Sequence, residues 1–167
     1  GTHADRLALL RGSFWQSNFQ DGRASAAMAS LLESLRRLRA ETDAIRVVAM
    51  DGGLPGMKRD ESMARTLAAS MGSSTRDKWV ALVGNVHAAK VSLNQYNPDY
   101  RSLANHLAPI EPYTVSIEFG FGNAWNCRAV CGVSTLSEHS DVGPNGFKLG
   151  AARLRGFDAA FRIALAT

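Results

Sequence analysis

The sequence predicts an α/β fold: a layered, largely parallel sheet flanked by helices, followed by a strand- and loop-rich C-terminal part. Stretches with apolar residues at helical spacing alternate with short apolar runs, the order expected of helices packed on a sheet. The runs at 45–50 and 79–83 each end in a glycine-containing turn, as buried parallel strands do. Finally, 167 residues with 46% hydrophobic and 20% charged side chains suffice for one packed core without metal or disulfide staples. No repeat or low-complexity linker divides the chain, so 1–167 reads as a single domain.

From Asp5 to Phe19, Leu7, Leu10, Phe14 and Trp15 recur at helical spacing, interrupted by Gly12. Asp21-Gly22-Arg23 makes a turn, after which Ser25 N-caps a helix to about Arg39 with the stripe Met28, Leu31, Leu32, Leu35 and Leu38. Ile45 to Met50 is a strand entering Asp51-Gly52-Gly53. Arg59 to Met71 returns to helical spacing through Met63, Thr66, Leu67 and Ser70. Trp79 to Val83 is the next strand and runs into Gly84-Asn85-Val86-His87. Asn97 and Pro98 then supply a cap and a first-turn proline for a helix to about Leu107. Tyr113–Phe119 and Phe157–Leu165 read as strands, with a hairpin and a functional loop between them. The aromatics Phe14, Trp15, Trp79 and Phe161 read as core.

Nineteen Lys and Arg against fifteen Asp and Glu leave a net charge of +4, a mild excess that attracts anions without making a polyphosphate-binding surface. The densest run, Arg36, Arg37 and Arg39, falls in a helix where a solvated face carries such charge, and no nucleic-acid module accompanies it. No stretch approaches the roughly 20 apolar residues of a membrane span. Cys127 and Cys131, four apart, either bridge across a tight turn, which would point to an oxidising compartment, or sit reduced in the core. Zinc would need two further ligands.

In open α/β sheets ligands collect beyond the carboxyl ends of parallel strands, where helix N-termini and loops converge. The polar residues predicted there are Asp51, Asn85, His87 and Glu118, with Arg59 and Asp60 opening the helix after the Asp51 loop. Asp51 either caps the Gly52-Gly53 turn or belongs to a site. Asp60 sits in a first helical turn, which carboxylates favour for electrostatic reasons alone. His87 is the sharpest candidate, as general base, metal ligand or loop anchor. His3, His106 and His139 read as surface residues. Gly52 to Lys58 lacks the spacing of a phosphate loop, and no G-x-S-x-G elbow is present.

Read together, Arg59-Asp60-Glu61-Ser62-Met63-Ala64-Arg65-Thr66-Leu67 and Trp79-Val80-Ala81-Leu82-Val83-Gly84-Asn85-Val86-His87-Ala88 resemble the erythromycin esterase, ChaN-like and TraB/Tiki superfamily. There an R-(D/N)-x-x-M-A helix start precedes a strand ending in a Gly-x-x-His or Gly-Asn-x-His turn. Phe14-Trp15, Asp21 to Met28, and Ala124-Trp125-Asn126-Cys127 look like a bacterial branch of uncharacterised, usually exported members. The family's earlier histidine motif is missing, because Gly1-Thr2-His3-Ala4-Asp5 has the wrong spacing. The resemblance therefore implies the C-terminal part of a larger family fold.

Members of that superfamily resemble esterases, metal-dependent peptidases or haem-binding proteins. The resemblance implies first a hydrolase, with His87 moving a proton or binding a metal, Arg59 steadying an oxyanion or carboxylate, and Asp51 orienting a partner. Asn85, Asp60 and Arg23 would contact substrate. The alternatives are a protein binding haem or another anionic ligand, and a structural fragment inactive without its N-terminal part. Haem or a divalent metal is the implied cofactor. The implied partners are a small-molecule substrate or ligand, and an N-terminal chain or a second copy of this one. Together with the cysteines, the resemblance implies a periplasmic or secreted protein.

Overall fold

The computed structural model describes residues 2–18, 23–42, 44–52, 57–72, 76–94, 97–127, 130–136, 145–149 and 154–166. They fall into two compact units, one of residues 1–47, 121–138 and 166–167, the other of 48–120 and 139–165. Helices accompany a four-stranded sheet of order β2-β1-β4-β3, formed by β1 (Val115–Cys127), β2 (Cys131–Leu136), β3 (Gly146–Leu149) and β4 (Ala159–Ala166). The α/β class holds, but the sheet is mixed: β1 and β4 are parallel, while β1–β2 and β3–β4 are antiparallel.

In the first unit, helix α1 (His3–Arg11) opens on a capping box. The Thr2 hydroxyl accepts from the Asp5 amide, and the Asp5 carboxylate accepts from the Thr2 amide at 2.6 Å. The helix stops well short of Phe19 because the chain turns extended at Gly12, whose amide closes on the Leu9 carbonyl. Helix α2 (Ala26–Thr42) starts at the predicted cap, with the Met28 amide donating to the Ser25 hydroxyl at 3.2 Å. Its Glu33 grips both Arg36 and Arg37, and those hydrogen bonds pull the Glu33 carboxyl down to about 2. Part of the basic run is thus neutralised within its own helix. The β1–β2 hairpin pairs Trp125 with Val133 and Cys127 with Cys131, and a disulfide joins the two cysteines. Asp21, Gly22 and Phe19 lie outside the described residues.

The second unit is built on α3 (Met57–Met71). Its Met63, Ala64 and Leu67 share one face and form the core with Leu103 and Leu107, joined by Met50, Met71, Trp79 and Val83 from outside. The runs at 45–50 and 79–83 form no strands. Met50, Trp79 and Val83 pack on the core, while Leu82 and the 93% exposed Val80 are open to solvent. An apolar run covered on one side only looks the same along a sequence as a strand buried on both. That difference is what turns the expected parallel sheet into a mixed one.

Gly84 precedes a short helix, α4 (Asn85–Ala88). The helix expected to begin at Asn97 is replaced by a turn in which Asn97 Oδ1 accepts from the Asp99 amide at 3.1 Å. Helix α5 is only Leu103–His106, capped by Ser102, and a 3-10 turn follows at Ala108–Ile110. Of the aromatics expected in the core, Trp79 packs on it, whereas Phe14 and Phe161 remain exposed. Among the described residues no helix is long and apolar enough to cross a membrane.

Leu67 is 6% exposed, so Leu67→Ala should lower the unfolding free energy by about 2–5 kcal/mol in urea titrations. Val80→Ala, at a 93% exposed position, should stay within about 0.5 kcal/mol.

Candidate active site

The first turn of α3 carries Arg59 and Asp60 on successive positions, about 100° apart around the helix, so they meet different surroundings. Asp60 turns inward and is 1% exposed. A buried carboxylate must be hydrogen-bonded, and this one is. Its Oδ1 accepts from the Leu103 amide at 2.7 Å, its Oδ2 accepts from the Tyr100 hydroxyl at 2.6 Å, and Nδ1 of His87 lies 2.8 Å from Oδ1. The Tyr100 oxygen is also 3.1 Å from that same nitrogen. Burial and the bond to Asp60 both push the Tyr100 hydroxyl well above its ordinary pKa, so it keeps its proton.

His87 is brought to this carboxylate by anchors on both sides. Before it, the Asn85 side chain pairs with the β1 backbone: Nδ2 donates to the Ile117 carbonyl at 3.1 Å and Oδ1 accepts from the Ile117 amide at 3.3 Å. After it, the Lys90 amide donates to the Gly156 carbonyl at 2.8 Å, and the Lys90 ammonium pairs with Asp158. Ser102 adds a third tie by donating to the Ala89 carbonyl at 2.6 Å. Gly156 has φ +83°, and a Cβ there would fall 2.6 Å from the Val91 side chain, so only glycine allows this approach.

Arg59 turns toward Asp51, its Nε lying 3.1 and 3.2 Å from the two carboxylate oxygens. The Asp51 hydrogen bond raises the guanidinium pKa, and the charge of Asp60 adds to it, which puts Arg59 in the same electrostatic neighbourhood. The structure thus brings Asp51, Arg59, Asp60 and His87 together as two adjoining pairs. The acid on the imidazole is Asp60, while Asp51 holds Arg59. Asp60, expected to contact substrate, is sealed behind His87. Asn85 is occupied by backbone. Arg23 belongs to the other unit, where its guanidinium stands 5.7 Å from the Phe14 ring centroid. Glu118 is buried with Arg162 and the Ser116 hydroxyl.

Tyr100 and the Leu103 amide carry no motif along the chain. The one available signal was Ser102, a capping residue just before an apolar pair, which marks a helix start whose free amides favour a carboxylate. Among the described residues, no group of three or more His, Cys, Asp and Glu side chains is arranged to hold a metal ion. With Nδ1 of His87 committed to Asp60, the imidazole has one nitrogen left to offer.

No protein-family model matches the chain, and neither a curated protein nor a solved structure does.

Two pH effects follow. Tyr100 holds its proton more tightly folded than unfolded, so its contribution to stability is complete below pH 10 and is lost as the pH rises beyond it. The melting temperature of Tyr100→Phe should therefore fall less steeply above pH 10 than that of the wild type. Burial alone would raise the Asp158 carboxyl, but Lys90 and two hydrogen bonds from Thr114 outweigh it and hold it low. Its contribution is present above the unfolded value of 3.8 and lost as the pH falls through the lower folded one. Asp158→Asn should accordingly flatten the acid limb of a melting-temperature profile.

Proposed function

We propose that the chain is a hydrolase-like domain in which His87 activates water for attack on a carbonyl, as in an esterase. The observation that carries the reading is the buried Asp60 carboxylate set against Nδ1 of a partly exposed imidazole. An ionised carboxylate can only accept, and the Leu103 amide and Tyr100 hydroxyl already donate to it, so the proton in the 2.8 Å contact belongs to Nδ1. The neutral ring then carries its lone pair on Nε2. The His87 side chain is 24% exposed, so part of the ring meets water while Asp60 holds Nδ1.

In the proposed step Nε2 takes a proton from the attacking water, and the imidazolium that forms is stabilised by Asp60 through Nδ1. The proton then passes to the leaving alkoxide. Arg59, aimed by Asp51 and close to the same charges, steadies the negative oxygen or a substrate carboxylate. Asp60 is a positioning residue here, because its burial keeps it from substrate. The resemblance to the erythromycin esterase, ChaN-like and TraB/Tiki superfamily supports the same chemistry, and the Cys127–Cys131 disulfide supports a periplasmic or secreted location.

The test is hydrolysis of a p-nitrophenyl ester by the full chain. His87→Ala should lower the rate constant by about 10²–10⁴, and Asp60→Asn by up to about 10⁴. Circular dichroism of His87→Ala should match the wild type. Undiminished turnover in folded His87→Ala overturns the proposal.

A further inference from the structure

The run at 79–83 has the residues of a strand and no strand beside it. Trp79 and Val83 pack on the core of the second unit, while Val80, Ala81 and Leu82 between them are exposed. Among the described residues, no backbone N–H or C=O of Val80, Ala81, Leu82 or Val83 is hydrogen-bonded to another part of the chain. Water can serve those groups, but a row of unpaired backbone groups beside open apolar side chains is a template for a further strand. Such edges are usually guarded by a charge, a proline or a bulge, and residues 80–83 contain neither a charged residue nor a proline.

The strand that fits this run is the run itself. A closed two-fold interface brings the same edge of both copies together, which makes the two segments antiparallel. Centred on Ala81, the pairing sets Val80 opposite Leu82 of the second copy and Trp79 opposite Val83. Side chains alternate across a strand, so the Trp79 and Val83 pairs stay on the core side, and two copies of Val80 and Leu82 make one apolar row on the other. A slip of one residue would set core-facing positions against open ones, which fixes the register. Charge agrees with the same register. Two chains of net charge +4 repel each other, yet here the flanking Asp77 and Lys78 fall opposite Asn85 and Gly84 of the second copy, so no like charges meet.

We propose that residues 79–83 pair antiparallel with the same residues of a second copy, about a two-fold axis at Ala81. Only a short segment from each chain takes part, so the dimer is a weak one that forms and dissociates with concentration.

Sedimentation equilibrium of the full chain over a range of concentrations should show the average mass rising from that of the monomer toward twice that value. Val80→Lys, at a 93% exposed position, leaves the fold intact and removes both symmetry-related Val80–Leu82 pairs, so association should weaken by about tenfold. Val80→Lys combined with Leu82→Asp places opposite charges across the pair and should restore the dimer. Register is read by cross-linking, since the two cysteines are already joined to each other. Directly opposed residues lie about 4.5–5.5 Å apart between Cα atoms, within reach of a disulfide. Ala81→Cys should therefore form an inter-chain disulfide on mild oxidation. In Val80→Cys the two thiols would be two positions out of step, about 8 Å between Cα atoms, and should not bridge. A wild type that stays monomeric up to its solubility limit overturns the proposal, and so does a dimer that Val80→Lys leaves unchanged. Equal cross-linking of Ala81→Cys and Val80→Cys overturns the register. Binding of an unrelated extended apolar peptide, with protection of the Val80–Val83 amides from hydrogen exchange while the chain remains monomeric, would assign the edge to a foreign strand instead and overturn the second copy as its occupant.

Discussion

The second unit turns on one buried charge. Removing the Asp60 carboxylate from water costs several kcal/mol unless donors replace the hydration it loses, and those donors come from three separate stretches: the ring of His87 on α4, the hydroxyl of Tyr100, and the amide of Leu103 at the start of α5. Together they replace the water that the carboxylate has lost. Leu103 shows how closely this is joined to packing, since its amide serves Asp60 while its side chain enters the core beside Met63 and Leu67. Asp60 itself precedes Met63 by one turn of α3. The apolar core and the polar cluster therefore share the same helix and the same residue at the head of α5, and neither can shift without the other.

Arg59 and Asp60 divide the work of a single helical turn. The inward residue is satisfied by neutral donors and an imidazole, and its geometry is closed. The outward one meets Asp51 with both side chains roughly a third exposed, where solvent screening leaves an ion pair worth about 0–1 kcal/mol. A pair of that strength keeps the guanidinium aimed without fixing it. Asn85, one residue past the glycine that opens α4, spends its whole side chain on the Ile117 backbone. Its value lies in registering α4 against β1.

Periodicity revealed what depends on periodicity. α2, with its Ser25 cap, and the Met63 and Leu67 face of α3 were legible because a helix writes its burial along the chain every three to four residues. The start of β1 and most of β4 were legible from strand composition. The runs at 45–50 and 79–83 were read as strands because their apolar content says that something covers them, but not whether a neighbour exchanges hydrogen bonds with them. The Asn97-Pro98 pair fits both a helix start and a turn, and Tyr100 and Ser102 settled it by turning inward to Asp60 and Ala89. In the site, Asp51, Arg59, Asp60 and His87 could be grouped from their positions beside strand-like runs. Their pairing could not, because which carboxylate meets the imidazole depends on the side of α3 that faces α4. Tyr100, forty residues from Asp60, was beyond any local pattern.

The ties behind His87 also set an order of events during synthesis. Lys90 is held by Gly156 and Asp158, the latter 68 positions further along. A nascent chain that has just completed α5 already contains Asp60, His87 and Tyr100, yet it lacks the clasp that restrains the exit of α4. Closing a loop of that span is slow and is rewarded only when the last strand arrives. Full restraint of the exit of α4 therefore waits until Gly156 and Asp158 have been made.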